Sequence, residues 1–245
     1  MVPAYRTVAI DCFRDTLGRF ASGYAVVAVD VVRAMTTAVT AVASGRRCFA
    51  VPTVGAALQR AAGLERPLLA GEVGGEIPAG FELGNSPAEL AHRTDVDRPL
   101  VLVSSSGTPL LDRASRSGPT YLGCFRNSRQ LGRWLAGRHH RVAVLGAASR
   151  GEFREEDQMC CAQIAAALLD AGYAPSDRTT TDLVERWRDA PADAWLGSRS
   201  AAYLRGTGQL EDLDFILQHM HDLSDVYQFQ HGEVVTVRET AGAAA

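Results

Sequence analysis

Residues 25–37 read AVVAVDVVRAMTT. The small and β-branched run Ala25–Val29 has the length and composition of a strand buried on both faces. Asp30 ends it. From Ala34 an alanine-rich stretch continues to Ser44 at helical spacing, and Gly45 follows in a C-cap position. A strand that passes straight into a helix is the half-unit of an α/β fold. An acid, a guanidinium and two hydroxyls (Asp30, Arg33, Thr36, Thr37) crowd the junction. Two readings fit them. Asp30 pairs with Arg33 as a self-contained helix start in which the threonines are ordinary helix residues, or the turn is a site that holds an anion and a metal.

The same alternation repeats outward from this stretch. Arg47–Val51, Pro67–Ala70, Leu100–Val103, Thr120–Gly123 and Arg141–Leu145 have strand character, and Val54–Ala62, Pro109–Ser115, Ser128–Ala136 and Glu155–Ala171 have helical spacing. This pattern predicts an α/β protein with a largely parallel or mixed sheet covered by helices. From Ala174 to Gly197 the pattern turns polar. Two further helices, Arg199–Tyr203 and Glu211–Met220, precede a last strand, Glu233–Val237, and the closing Ala241–Ala245 is expected to fray. No fixed repeat or linker interrupts the 245 residues. They are read as a single α/β unit, the alternative being two lobes, 1–138 and 139–245, with the site in the crevice between them.

Composition narrows the function. A hydrophobic content of 47% with 22% charged residues is that of a soluble globular protein. A net charge of -3 carries no nucleic-acid footprint. No apolar run approaches the roughly 20 residues of a membrane span, and the N-terminus lacks a signal-peptide layout. Five cysteines without a CxxC pair predict reduced thiols and a cytoplasmic setting, with Cys160 and Cys161 packed as small hydrophobes in a helix. All 25 basic residues are arginine. That removes lysine Schiff bases and the P-loop lysine.

Polar residues collect after strand candidates. Asp30 and Arg33 follow the first, Gly71-Glu72 the third, Ser104-Ser105-Ser106-Gly107-Thr108 the fourth, and Gly146–Gly151 the last, with Glu155-Glu156-Asp157 soon after. Ligands of open α/β sheets bind outside the carboxyl ends of strands, so these groups are expected to share one crevice. Helix N-termini and the serine and Ser149-Arg150-Gly151 turns suit phosphate. Arg33 and Arg150 offer planar donors for phosphate, sulfonate or carboxylate. Asp30, Glu72, Glu156 and Asp157 are hard oxygen ligands suited to Mg²⁺. Together they describe metal-assisted phosphoryl chemistry. The plain alternative for Glu155–Asp157 is an acidic first helical turn favoured by the dipole.

Other phosphatase and cofactor patterns fail. Asp30 lacks the second acid two residues on that haloacid-dehalogenase-type phosphatases use, no cysteine precedes a tyrosine-phosphatase loop, and Gly71–Gly80 holds no GxGxxG. His219 and His221, near Asp222, Asp225 and His231, stand two apart on a helical stretch and face different ways, which disfavours a metal cluster there.

Five segments in order resemble the 2-phosphosulfolactate phosphatase family, the Mg²⁺-dependent phosphatases associated with coenzyme M biosynthesis. VAVDVVRAMTTAVTAVASG resembles its Asp-x-x-Arg-Ala-x-Thr-Thr opening. LLAGEVGGEIPAGFELGNSPAEL resembles its Gly-Glu and Gly-Phe-Asp-Leu-Gly-Asn-Ser-Pro stretch, and Phe81–Pro87 is the most specific piece. LVLVSSSGTPLL resembles its Thr-Thr-x-Asn-Gly-Thr turn, GCFRNSRQL its Asn-bearing segment and EEDQMCCAQI its Glu-Asp helix start. The match runs from about Ala25 to Leu169, with a fainter echo through Asp212 and Asp225-Val226. Five positions depart from the family pattern: Val73 stands where arginine is usual, Glu82 for aspartate, Ser106 for asparagine, and Cys161-Ala162 for Ala-Gly. The lost arginine at Val73 points to a substrate without the sulfonate or to altered phosphate binding.

The resemblance implies a Mg²⁺-dependent phosphatase acting on a small phosphorylated hydroxy acid. Asp30 is then metal ligand or nucleophile, and Glu72 and Asp157 are further ligands or the general acid/base, with Arg33 among the catalytic groups. Thr36, Thr37, Ser105, Ser106, Gly107, Thr108, Asn127 and Arg150 are expected on the phosphate, and Asn85 and Ser86 on the substrate side. The expected partner is a small phosphorylated metabolite, without nucleic acid or membrane, in a chain whose default assembly is a homodimer. The alternatives are a non-catalytic anion- or partner-binding homologue, and a phosphatase of specialised metabolism acting on a sugar or nucleoside phosphate.

Overall fold

A computed structural model of the chain describes residues 5–12, 14–20 and 22–237; the Ala241–Ala245 tail lies outside them. In chain order the elements begin with β1 (Thr7–Cys12), a 3-10 segment (Arg14–Phe20), β2 (Ala25–Val29) and α1 (Ala34–Ala43). They continue through β3 (Cys48–Ala50), α2 (Val54–Ala61), β4 (Leu68–Gly71), α3 (Pro87–Ala91), β5 (Leu100–Val103) and α4 (Gly107–Ala114). Next come β6 (Thr120–Gly123), α5 (Ser128–Leu135), β7 (Arg141–Gly146), α6 (Glu155–Asp170) and β8 (Ala174–Pro175). The chain ends with α7 (Arg178–Trp187), α8 (Arg199–Gly206), α9 (Leu210–Gln218), β9 (Val226–Gln230) and β10 (Glu233–Val237).

All ten strands form one mixed sheet in the order β4-β5-β3-β10-β9-β6-β2-β7-β1-β8. The fold is α/β, as the alternation predicts. Strands β4, β5 and β3 are parallel to one another, as are β6, β2, β7, β1 and β8. The β9–β10 hairpin lies between these blocks, antiparallel to its neighbour on each side. Three successive antiparallel steps make the blocks run in opposite senses. A flat sheet would put their carboxyl ends on opposite edges.

The two blocks are nonetheless joined by shared helices. Helix α1 packs on β3, β5, β6 and β10, and α4 packs on β2 and β3. Val26 and Ala28 of β2 therefore share one core with Leu100 and Leu102 of β5 and with both helices. The alternate residues Ala25, Val27 and Val29 face the other way, against α5, α6 and α7, while Val101 and Val103 close over α2. Strand β2 is buried along its whole length, which is why its sequence is continuously apolar.

β7, from beyond residue 138, is inserted between β2 and β1, which precede it. Strands β1, β8 and β9 and helices α3 and α7 were not anticipated. Helix α7 is polar but firmly started, with Asp177 accepting a hydrogen bond from the Thr180 amide at 2.8 Å. Helix α4 begins before Pro109, at Gly107, because Ser104 and Thr108 exchange reciprocal amide–hydroxyl bonds at 2.9 Å. Among the described residues no helix is long and apolar enough to cross a membrane.

Candidate active site

Residues that follow β2, β4, β5 and β7 line one cleft of about 310 Å³. Its floor starts at Asp30. The Asp30 carbonyl accepts from the Met35 amide, and its Oδ1 accepts from the Ala34 amide at 3.1 Å, so Asp30 itself closes the first turn of α1. Asp157, in the first turn of α6, accepts from the Val31 amide at 2.8 Å. Gly107, which opens α4, lies so close that an added Cβ would stand 2.4 Å from Asp30 Oδ2. The N-termini of α1, α4 and α6 thus converge on one buried carboxylate.

Electrostatics set this floor apart. Burial pushes the Asp30 carboxyl up to about 7; the Ala34 amide pulls against it, and the charges of Glu72 and Glu156 add to it. Burial, then the charges of Asp30 and Glu156, raises Asp157 well above the carboxylate range. Glu156 is raised by burial, with the Ser200 and Ser198 hydroxyls pulling it back. Its Oε2 is buried without a hydrogen-bond partner, as is Asn85 Oδ1 on the cleft wall. Acids this close, this dry and incompletely partnered fit a cation in charge and in donor type. Among the described residues no group of three or more His, Cys, Asp or Glu stands in ready-made ligand geometry. Mg²⁺ needs no closed protein shell, since it usually keeps waters and binds one or two carboxylates plus phosphate oxygens.

Arg33 reaches the cleft but does not pair with Asp30. The Val32–Arg33 peptide is cis. The buried Arg33 guanidinium donates to Asp212 and to Gln209 Oε1, both contributed by the far end of the chain. Asp212 also accepts from Ser86 Oγ at 2.7 Å and the Ala88 amide at 3.0 Å. One buried carboxylate therefore ties Arg33 to the start of α3.

Of the other expected site residues, Glu72, Asn85, Ser105, Ser106 and Arg150 line the cleft. Glu72 is held by backbone donors, accepting from the Ser105 amide and the Gly75 amide, each at 2.8 Å, so it joins two loops of the wall. Thr36, Thr37, Ser86, Thr108 and Asn127 lie outside the lining. The Thr36 hydroxyl donates to the Val31 carbonyl and that of Thr37 to the Arg33 carbonyl. Thr108 is engaged with Ser104. Asn127 accepts from the Cys124 amide and donates to the Leu122 carbonyl. These bonds hold together the turns that carry the residues. Asp212, Glu152, Arg154, Arg199 and Tyr203 were not foreseen around the site. Glu152 and Arg154 follow β7 between the two stretches the sequence singles out, whereas Asp212, Arg199 and Tyr203 follow no strand, and the faint echo at Asp212 is the one signal for these three.

The family model described as 2-phosphosulpholactate phosphatase matches residues 14–230. The chain belongs to that family. A probable 2-phosphosulfolactate phosphatase of Symbiobacterium thermophilum is 29% identical over 87% of this chain and 94% of its own. The 2-phosphosulfolactate phosphatase of Methanothermobacter thermautotrophicus is 31% identical over 78% of this chain and 80% of its own. A probable family phosphatase of Pseudothermotoga lettingae is 35% identical over a shorter stretch, 59% of this chain and 62% of its own length. The family match covers both parallel blocks except β1, and the strand β9 between them. Val73, a departure from the family pattern, is half exposed in the turn closed by Val73 and Glu76 and lies outside the cleft lining.

Proposed function

We propose that this protein is a Mg²⁺-dependent phosphatase acting on a small phosphorylated hydroxy acid of the 2-phosphosulfolactate kind. The observation that carries the reading is the crowding of Asp30, Glu156 and Asp157 beneath three helix N-termini, with the anchored Arg33 at their side. Such a floor asks for both a cation and an anion. Asp30 and Asp157 are the residues that would hold Mg²⁺, with waters completing its shell, and when bound it would neutralise charge on the phosphoryl oxygens and on these acids. The chain's own groups do the rest. The fixed Arg33 fork matches two phosphate oxygens, and the opening turn of α4 at Ser106 and Gly107 presents backbone N–H donors to a third. Asp30, closest to those donors, acts as ligand or nucleophile. Relatives bearing the phosphatase name support the reaction class, and five buried free cysteines support a reducing, cytoplasmic setting.

The test is release of inorganic phosphate from 2-phosphosulfolactate by the purified protein, with Mg²⁺ and with EDTA. Turnover that requires Mg²⁺ is expected. No release from it or from any small phosphomonoester overturns the proposal, and thermal stabilisation by those esters without turnover would replace it with an anion-binding homologue.

A further inference from the structure

The cleft is polarised. Asp30, Glu156 and Asp157 lie buried on its floor beside Arg33, whereas Arg150 and Arg199 are exposed at its outer edge, next to the partly exposed Glu152. We infer that this edge is a second anion subsite, in which Arg150 and Arg199 read the carboxylate or sulfonate of a substrate whose phosphate lies below. The assignment of phosphate to the floor rests on the phosphatase reading.

Arg150 is the first observation. It sits in a tight turn closed by two bonds, Ser149 amide to Glu152 carbonyl at 2.9 Å and the reverse at 3.0 Å. Both central residues are left-handed, Arg150 at φ +51° and Gly151 at +77°. Such a turn favours Asn, Asp or Gly at its centre, so an arginine is held there against backbone preference. Its side chain lines the cleft and has no hydrogen-bond or ion-pair partner among the described residues. An exposed arginine alone would be ordinary surface. One in an unfavourable turn, unpaired and at the mouth of a cleft is not explained by the fold.

Arg199 is the second. It opens α8, lines the same cleft and is paired with Glu152, which closes the turn that carries Arg150. The same Glu152 accepts from Arg154 at 2.6 Å, and Arg154 Nε is buried without a partner. Glu152 thus braces two arginines with one charge, leaving the edge net positive. Guanidinium forks match carboxylate and sulfonate oxygens bidentately. A phosphomonoester with no second acid would fill the floor and leave this edge unused.

Three esters separate the claims: 2-phosphosulfolactate, 2-phospholactate, which lacks the sulfonate, and isopropyl phosphate, which lacks both acids. Binding is read as thermal stabilisation in EDTA, and turnover as phosphate release with Mg²⁺. The wild type should favour the acid-bearing esters over isopropyl phosphate at least tenfold in kcat/KM, through KM, with a matching order of stabilisation. In the Arg150→Ala, Arg199→Ala double variant that preference should fall towards one, and Arg150→Lys should keep part of it. Arg150→Ala alone replaces the double variant if the latter does not unfold cooperatively. Equal handling of all three esters by the wild type, or an equal loss on all three in the variant, overturns the subsite. Arginine-dependent preference in binding with no hydrolysis of any ester overturns the phosphatase reading and leaves the subsite standing.

Discussion

Asp30 keeps its proton to about pH 7 in the folded chain, against an ordinary 3.8. Between those values the folded state binds more protons than the unfolded state, so stability falls as pH rises across that window and levels off above it. In EDTA the melting temperature should therefore drop from pH 5 to pH 8, and Asp30→Asn should flatten that drop while raising stability at pH 8. The same variant should lose at least about a thousandfold in phosphate release, since the group at the centre of the floor is gone. If Asp30→Asn turns over normally, the placement of the chemistry is wrong. Gly107→Ala is the steric counterpart. Its Cβ would stand 2.4 Å from Asp30 Oδ2 and 2.8 Å from Ala34 Cβ, so a loss of about 1–3 kcal/mol in denaturant unfolding is expected. Asp30 and Arg33 line the cleft where the sequence puts them, because charge at the end of an apolar strand has few structural excuses. Thr36, Thr37 and Asn127 lie outside the lining for the converse reason. A hydroxyl or amide looks the same in sequence whether it bonds a ligand or the preceding turn, and here the backbone takes it.

Helix α9 acts on the site through one residue. Asp212 is buried, accepts from Arg33, Ser86 and the Ala88 amide, and so fixes α9, α3 and the β2–α1 turn to one another. Removing one partner of a buried pair leaves the other charged and dry. Asp212→Ala should cost about 3–5 kcal/mol in urea unfolding, and a loss below about 1 kcal/mol would show that Arg33 finds another partner. At this scale the sequence marked helices and strands where burial makes them apolar: β2, β5 and β7 lie nearly where the pattern puts them. It did not mark α7, whose amphipathic face is built around Val184 and Trp187 amid polar residues, or β9, which alternates glutamines with its buried side chains.

Across the molecule, the two parallel blocks meet through the β9–β10 hairpin and nowhere else within the sheet. Strand β10 touches β3 through a short register, Glu233 opposite Phe49 and Val234 opposite Cys48, reinforced by the Arg47–Glu233 ion pair. A chain truncated before Val226 should show no cooperative unfolding transition, and one that melts as sharply as the full protein would mean that a block folds alone. Local patterns show that the strands exist, but pairing across this distance in sequence leaves no local trace, so strand order could not be read.

The placement of that hairpin also bears on how the protein is made. A ribosome releases β3 and β6 long before it reaches residues 226–237, and at about 5–20 residues per second the edges of both wait for several seconds without their eventual neighbours. Exposed edges recruit other strands. Newborn chains should accordingly be most prone to clump, and most dependent on chaperones, when translation slows in the last quarter of the message.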